Sequence, residues 1–132
     1  YNVYELTNAL SNRDMTKLSK LLQYMSSHPK ESPFPFILSV LYGFFSKIAA
    51  MHFINPSSKE ALKSLGVLPW VEKEYRAAFQ VYGSRINEIM DLIQNYDLRF
   101  KGVDDTGTEE GDLLKELVMQ IATMPSTKRK HA

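Results

Sequence analysis

A catalytic site needs a nucleophile beside a base, paired carboxylates, a metal cluster or a cradle for a cofactor. This chain offers few residues from which to build one. Of its three histidines, His28 precedes a proline, His52 lies late in a long apolar stretch, and His131 sits in a basic tail. None has a second histidine at the spacing that places two ligands on one helix face, so His52 reads as a packed or boundary residue. Asp104 and Asp105 are adjacent in a glycine-bearing loop, Gly102 to Gly107. Neighbouring residues in such a turn do not converge on one point without further ligands. The loop has neither the lysine of a phosphate-binding loop nor a preceding strand. Glu109, Glu110 and Asp112 suit the positive N-terminal end of the helix they open. Tyr75, Phe79 and Tyr82 recur at helical spacing, which fits core packing better than a base-stacking platform. No catalytic residue, metal site or cofactor is expected.

The elements that would carry these residues are helices. Apolar residues recur at three- and four-residue steps, and no stretch alternates long enough for a strand. Asn2 with Glu5 forms a capping pair over a helix from Val3 to Leu10. Asn12 or Asp14 caps the next, with Met15, Leu18, Leu21, Leu22 and Met25 on its stripe, and His28-Pro29 stops it. Ser32-Pro33 starts the longest helix, in which Phe36, Ile37, Val40, Leu41, Phe44, Phe45, Ile48 and Ala49 cover more than one face. Such a helix belongs at the centre of a bundle, and Asn55-Pro56 ends it. Ser57 with Glu60 caps a short helix closed by Gly66. Pro69 opens another with Val71, Tyr75, Ala78, Phe79 and Tyr82 inward. Ser84 caps one carrying Ile86, Ile89, Met90, Ile93 and Phe100. Thr108 caps the last, with Leu113, Leu114, Leu117, Val118 and Ile121 inward.

The expected fold is therefore an all-α, irregular or orthogonal bundle of about five to seven helices over residues 1–124, followed by a basic tail, 125–132. The 132 residues suffice for one cored domain, with 44% apolar and 23% charged residues. Sixteen Lys and Arg against fifteen Asp and Glu leave a formal charge of +1, which gives no whole-domain reason to expect nucleic acid or a membrane as partner. There is no cysteine, which excludes a disulfide framework and suits a reducing, cytoplasmic setting. Phe34 to Ile54 is apolar but broken by Ser39, Gly43, Ser46, Lys47 and His52, so a buried helix is expected there and no membrane span. The start at Tyr1, with no basic and then apolar leader, raises the expectation of a piece cut from a longer chain.

One segment has the outline of a DNA-reading helix-turn-helix: Glu60 to Val67, then the helix from Pro69 to Tyr82. Its would-be recognition helix opens Pro69-Trp70-Val71-Glu72-Lys73-Glu74. Carboxylates there repel phosphates, and nothing offers a bidentate contact to guanine. A corner in a bundle is the preferred reading, with a DNA-binding regulator using residues 57–82 as the alternative.

Taken in order, the segments resemble the C-terminal domain of the delta subunit of bacterial DNA polymerase III, a clamp-loader component. Tyr4-Glu5-Leu6-Thr7-Asn8-Ala9-Leu10-Ser11-Asn12-Arg13-Asp14 is similar to that domain's opening helix, turn and helix. Ile37-Leu38-Ser39-Val40-Leu41 matches its long helix, richer here in phenylalanine. Leu65-Gly66-Val67-Leu68-Pro69-Trp70-Val71 resembles a Leu-Gly-x-x-Pro-aromatic-Val turn. Asp97-Leu98-Arg99-Phe100-Lys101, a glycine-bearing loop and Asp112-Leu113-Leu114-Lys115-Glu116-Leu117 resemble its closing helices. The resemblance covers nearly the whole chain and rests on order and spacing.

It implies a domain without catalysis that joins its counterparts, gamma/tau-type and delta-prime-type subunits, in a collar. Contact with the sliding clamp would fall to N-terminal AAA+-type domains absent from this chain. Phe100, Lys101, Leu114 and Val118 are the candidate subunit interface. Lys101, Lys128, Arg129 and Lys130 are candidates for weak contact with primer-template DNA in the assembled complex. The loop bears Asp104 and Asp105 and no aromatic residue, which departs from a DNA-stacking loop.

Overall fold

Local side-chain caps set the start of three of the α-helices among the described residues. In the computed structural model, which describes residues 2–105 and 107–125, the chain forms seven α-helices and, among the described residues, no strand. Helix α1 (Val3–Asn12) opens on the expected box: Asn2 Oδ1 accepts the amides of Tyr4 and Glu5, and the Glu5 carboxylate accepts the Asn2 amide. Helix α2 (Met15–Ser27) is capped by Asp14, whose carboxylate accepts the Lys17 amide at 3.1 Å. Between them Arg13 adopts the left-handed conformation at φ 50°, strained for a residue with a Cβ. Its guanidinium compensates: it donates to the Met124 carbonyl and lies 5.5 Å over the Tyr82 ring.

Helix α3 (Phe34–Ala50) is the longest, as expected, and packs against α1, α5, α6 and α7. Its core stripe is Phe34, Ile37, Leu38, Leu41, Phe44, Phe45 and Ile48. Phe36, expected inward, is 47% exposed instead, because the helix turns Phe34 and Leu38 inward on either side of it. Neither Ser32 nor Pro33 supplies a side-chain cap. The Phe34 amide donates instead to Glu110 Oε2 at 2.7 Å, a carboxylate from the start of the last helix. With its 3₁₀ extension, Phe34–Phe53 is long and apolar enough to cross a membrane by length and composition. Within this fold that segment is the central helix, which its apolar faces already required.

Helix α4 (Lys59–Ser64) is a six-residue helix capped by Ser58, one residue later than expected, because Asn55 Oδ1 takes the Ser57 amide into a tight turn. It closes as the sequence indicates. Gly66 at φ +87° lets its own amide reach the Lys63 carbonyl and the Val67 amide reach that of Leu62, with Leu62 and Val67 both buried. A 3₁₀ turn, Pro69–Val71, leads into helix α5 (Glu72–Tyr82), and another, Gly83–Arg85, into helix α6 (Ile86–Phe100). Ser84 therefore lies inside that turn and is not the N-cap of α6, a position held by Arg85. Helix α7 (Glu110–Ala122) starts after Glu109, so Thr108 is not its cap either.

Helices α3 and α6 run antiparallel, with the Phe34 and Phe100 rings tilted against each other at 5.4 Å. Helix α7 lies against α2 and α6, and α5 against α1. Helices α2 and α7 approach closely at Gly111, where a Cβ would stand 2.8 Å from the backbone oxygen of Ser26. Gly111→Ala is therefore expected to destabilise the fold by about 1–3 kcal/mol. A fall in the urea midpoint at unchanged slope would report it.

Candidate functional site

The polar residues that drew attention in the sequence are placed in structural roles. His28 is stacked on Tyr24 at 4.0 Å with Nδ1 2.7 Å from the Tyr24 carbonyl, which makes Nδ1 the donor. Glu31 lies three residues on, yet its carboxylate accepts from the Tyr24 hydroxyl at 2.7 Å and does not turn to the histidine. His52 Nε2 sits 2.7 Å from the Gly83 carbonyl, with its ring against Phe79. Among the described residues, no three His, Cys, Asp or Glu side chains are grouped to hold a metal ion.

The two loop aspartates separate. Asp104 is exposed at φ 58°. Asp105 turns back and accepts from the Gly107 and Thr108 amides at 3.2 and 3.0 Å and from Arg99 at 2.7 Å. Arg99 also reaches Glu116 at 3.1 Å and lies 4.7 Å over the Tyr96 ring. The Tyr96 hydroxyl donates to Glu116 and accepts from Gln120. This network joins α6, the loop and α7. The Thr108 amide and hydroxyl, and then Arg99, hold the Asp105 carboxyl well below the usual carboxylate range.

The expected interface residues do not share one surface. Leu114 and Val118 are 2% and 0% exposed, buried in the domain's own core where α7 meets the bundle, so neither can face another subunit. Phe100 is 37% exposed and leans on Phe34. Lys101 is exposed and pairs with Asp97 at 2.9 Å. Lys128, Arg129 and Lys130 lie outside the described residues.

Besides Leu98, Phe100 and Val103 at and just past the end of α6, exposed apolar side chains border the outer side of α3. Tyr4, Tyr42, Leu68 and Trp70 are 66, 57, 50 and 78% exposed. An open groove of about 570 Å³ runs between α3, the start of α1 and the turn before α5, with Val40, Phe44, Val71 and Tyr75 among its walls. A second, of about 640 Å³, lies on the other side of α3, between Pro35, Leu38 and Tyr42 and the α6 residues Met90, Asp91 and Asp97. The two meet at Ser39. Tyr75 packs 4.7 Å from Phe44 beneath the first groove, and burial, then the nearby Glu74, pushes its hydroxyl up to about 12. Trp70 and Leu68 flank Pro69 outside any helical stripe, so periodicity assigned them no buried partner. A tryptophan and a leucine with no place in a core pattern were the available signal.

The corner considered for DNA reading is closed on one side. Glu72 is buried and pairs with Arg76, whose Nε donates to the Pro56 carbonyl. Glu74 accepts from Asn8, and Tyr75, Ala78 and Tyr82 are buried against the bundle. The fold and this surface together define an all-helical bundle with an uncovered aromatic face. No known family model, curated protein or solved structure gives a significant match to the chain.

Two outcomes are expected. Leu114→Ala should cost about 2–5 kcal/mol of folding stability, as a core truncation does, read from a denaturation curve of the isolated chain. Asp105 contributes stability in full above its ordinary value of 3.8, and that contribution is lost as pH falls below it toward the depressed folded value. Asp105→Asn should therefore lower the urea midpoint at neutral pH and shrink the further drop between neutral pH and about pH 3.

Proposed function

We propose that this chain is an assembly domain, the collar domain of a delta-type subunit of the bacterial DNA polymerase III clamp loader. Its work is to pack against gamma/tau-type and delta-prime-type subunits, without chemistry of its own. The observation that carries this reading is the aromatic surface around α3, Leu68 and Trp70 on a domain whose core is otherwise closed. Clustered exposed aromatic side chains mark protein interfaces more often than isolated ones do. The order of sequence segments, from the Asn2–Glu5 cap to the pair of helices around the 101–109 loop, supports the particular family. Clamp contact and ATP binding would belong to other parts of a longer protein, and primer-template DNA would be met only in the assembled complex. Nothing in the 57–82 corner favours a DNA-binding regulator, since its second helix begins with buried or engaged carboxylates.

Mixing the chain with gamma/tau-type and delta-prime-type subunits from the same organism should give a stable complex by light scattering. Trp70→Ala should weaken it by about 2 kcal/mol, near thirtyfold in Kd, as truncation of an interfacial tryptophan does. Its melting temperature should be unchanged, because Trp70 is 78% exposed in the free domain. No complex from the unaltered chain, or salt-sensitive submicromolar binding to duplex DNA by the domain alone, would overturn the assignment.

A further inference from the structure

Arg13 is held by interactions that pull against one another. Its backbone is left-handed at φ 50°, a conformation that glycine usually supplies after a helix without steric cost. That geometry lets the Arg13 amide reach the Leu10 carbonyl at 3.2 Å and the Asp14 amide reach that of Ala9 at 3.0 Å, closing α1. The side chain then crosses to the other end of the fold. Its guanidinium donates to the Met124 carbonyl, just past α7, and lies 5.5 Å over the Tyr82 ring. Its Nε is buried without a hydrogen-bond partner, and among the described residues no carboxylate pairs with the cation. The left-handed backbone, the unmet Nε and a charge withdrawn from water without a counter-ion all oppose this arrangement. The carbonyl-rich end of a helix and an aromatic face favour it, by amounts of similar size. A tie balanced in this way opens easily. One turn earlier, Leu117, Val118 and Ile121 are fully buried and keep α7 on the bundle without it.

We propose that Arg13 is the latch of a conformational device: it fastens the last turn of α7 to the α1–α2 corner, and its release frees that turn while the bundle stays folded. On release the guanidinium turns to water, where Nε finds a partner. The Thr123 and Met124 amides, which donate to the Met119 and Ile121 carbonyls at 3.1 and 3.2 Å, then open to solvent. The bond from the Tyr82 hydroxyl to the Leu10 carbonyl does not run through the cation and persists, so α5 stays on α1. The device couples two places 111 positions apart in the chain. It depends neither on a partner nor on the assembly reading above. Because arginine stays protonated across the whole range in which the fold is stable, the latch does not respond to pH.

The test is residue-resolved hydrogen exchange on the full chain under native conditions, with urea unfolding measured beside it. Arg13→Gly removes the tie and relieves the backbone together. It should leave the urea midpoint unchanged while the Thr123 and Met124 amides exchange about tenfold faster, and those of Leu117 and Val118 at their former rate. Arg13→Ala removes the tie but keeps a Cβ in the left-handed conformation. It should speed the same two amides equally and, unlike the glycine variant, lower the midpoint. Unchanged exchange at Thr123 and Met124 in both variants would show that the guanidinium fastens nothing. An Arg13→Gly chain that fails to fold, or whose midpoint falls as far as that of Leu114→Ala, would make Arg13 part of the body of the fold and overturn the latch. So would last-turn amides that open only together with those of Leu117 and Val118.

Discussion

Helix α3 carries more apolar surface than one side of a helix can bury, and its neighbours are arranged around that excess. Phe34, Ile37, Leu41, Phe45 and Ile48 are at most 0% exposed, and they meet residues from helices distant in the chain. Apolar burial is non-directional, so such a helix would collapse against whatever greasy surface was offered. The direction comes from smaller polar and steric terms. Arg13 ties the α1–α2 corner to the end of α7, and Tyr82 donates to the Leu10 carbonyl at 2.7 Å from within the core. Burial raises the Tyr82 hydroxyl above its usual range, which keeps it a donor.

The same excess accounts for the surface. Helices α1, α5, α6 and α7 leave uncovered the strip of α3 that carries Ser39, Tyr42 and Gly43. A helix core satisfied on three sides and bare on the fourth is a stable fold with a remaining apolar demand. Scattered apolar residues on a surface mean little, but Tyr4, Tyr42, Leu68 and Trp70 surround two grooves that share an edge. That arrangement separates this face from the exposure of Phe53 at the end of the 3₁₀ turn that follows α3.

Local signals were legible where the physics is local. The Asn2–Glu5 box, the Asp14 cap, the left-handed Gly66 and the stop at His28-Pro29 all involve groups a few residues apart. The helices themselves and the all-α class followed from periodicity. Caps failed where the true acceptor came from far away, as Glu110 does for Phe34 across 76 positions. They failed too where a 3₁₀ turn joined two helices without a side-chain cap, as at Gly83–Arg85. Leu114 and Val118 show a deeper limit: periodicity says that a face is apolar, and cannot say whether its cover is the same chain or another. Tyr96, left out of the expected stripe of α6, falls on it at helical spacing from Ile89 and Ile93 and is buried there, its hydroxyl satisfied by Glu116 and Gln120 on α7.

Gly111 acts as an index mark between two rods. With the backbones of α2 and α7 almost touching at Ser26, α7 can neither slide nor rotate to take up slack from the preceding segment. Residues added or removed between Phe100 and Glu110 would have to be accommodated by the excursion itself, outside the bundle. The seat of α7 on α2 is thereby insulated from changes in the length of that connection, which would be felt first where Asp105 ties the loop to Arg99 and Thr108.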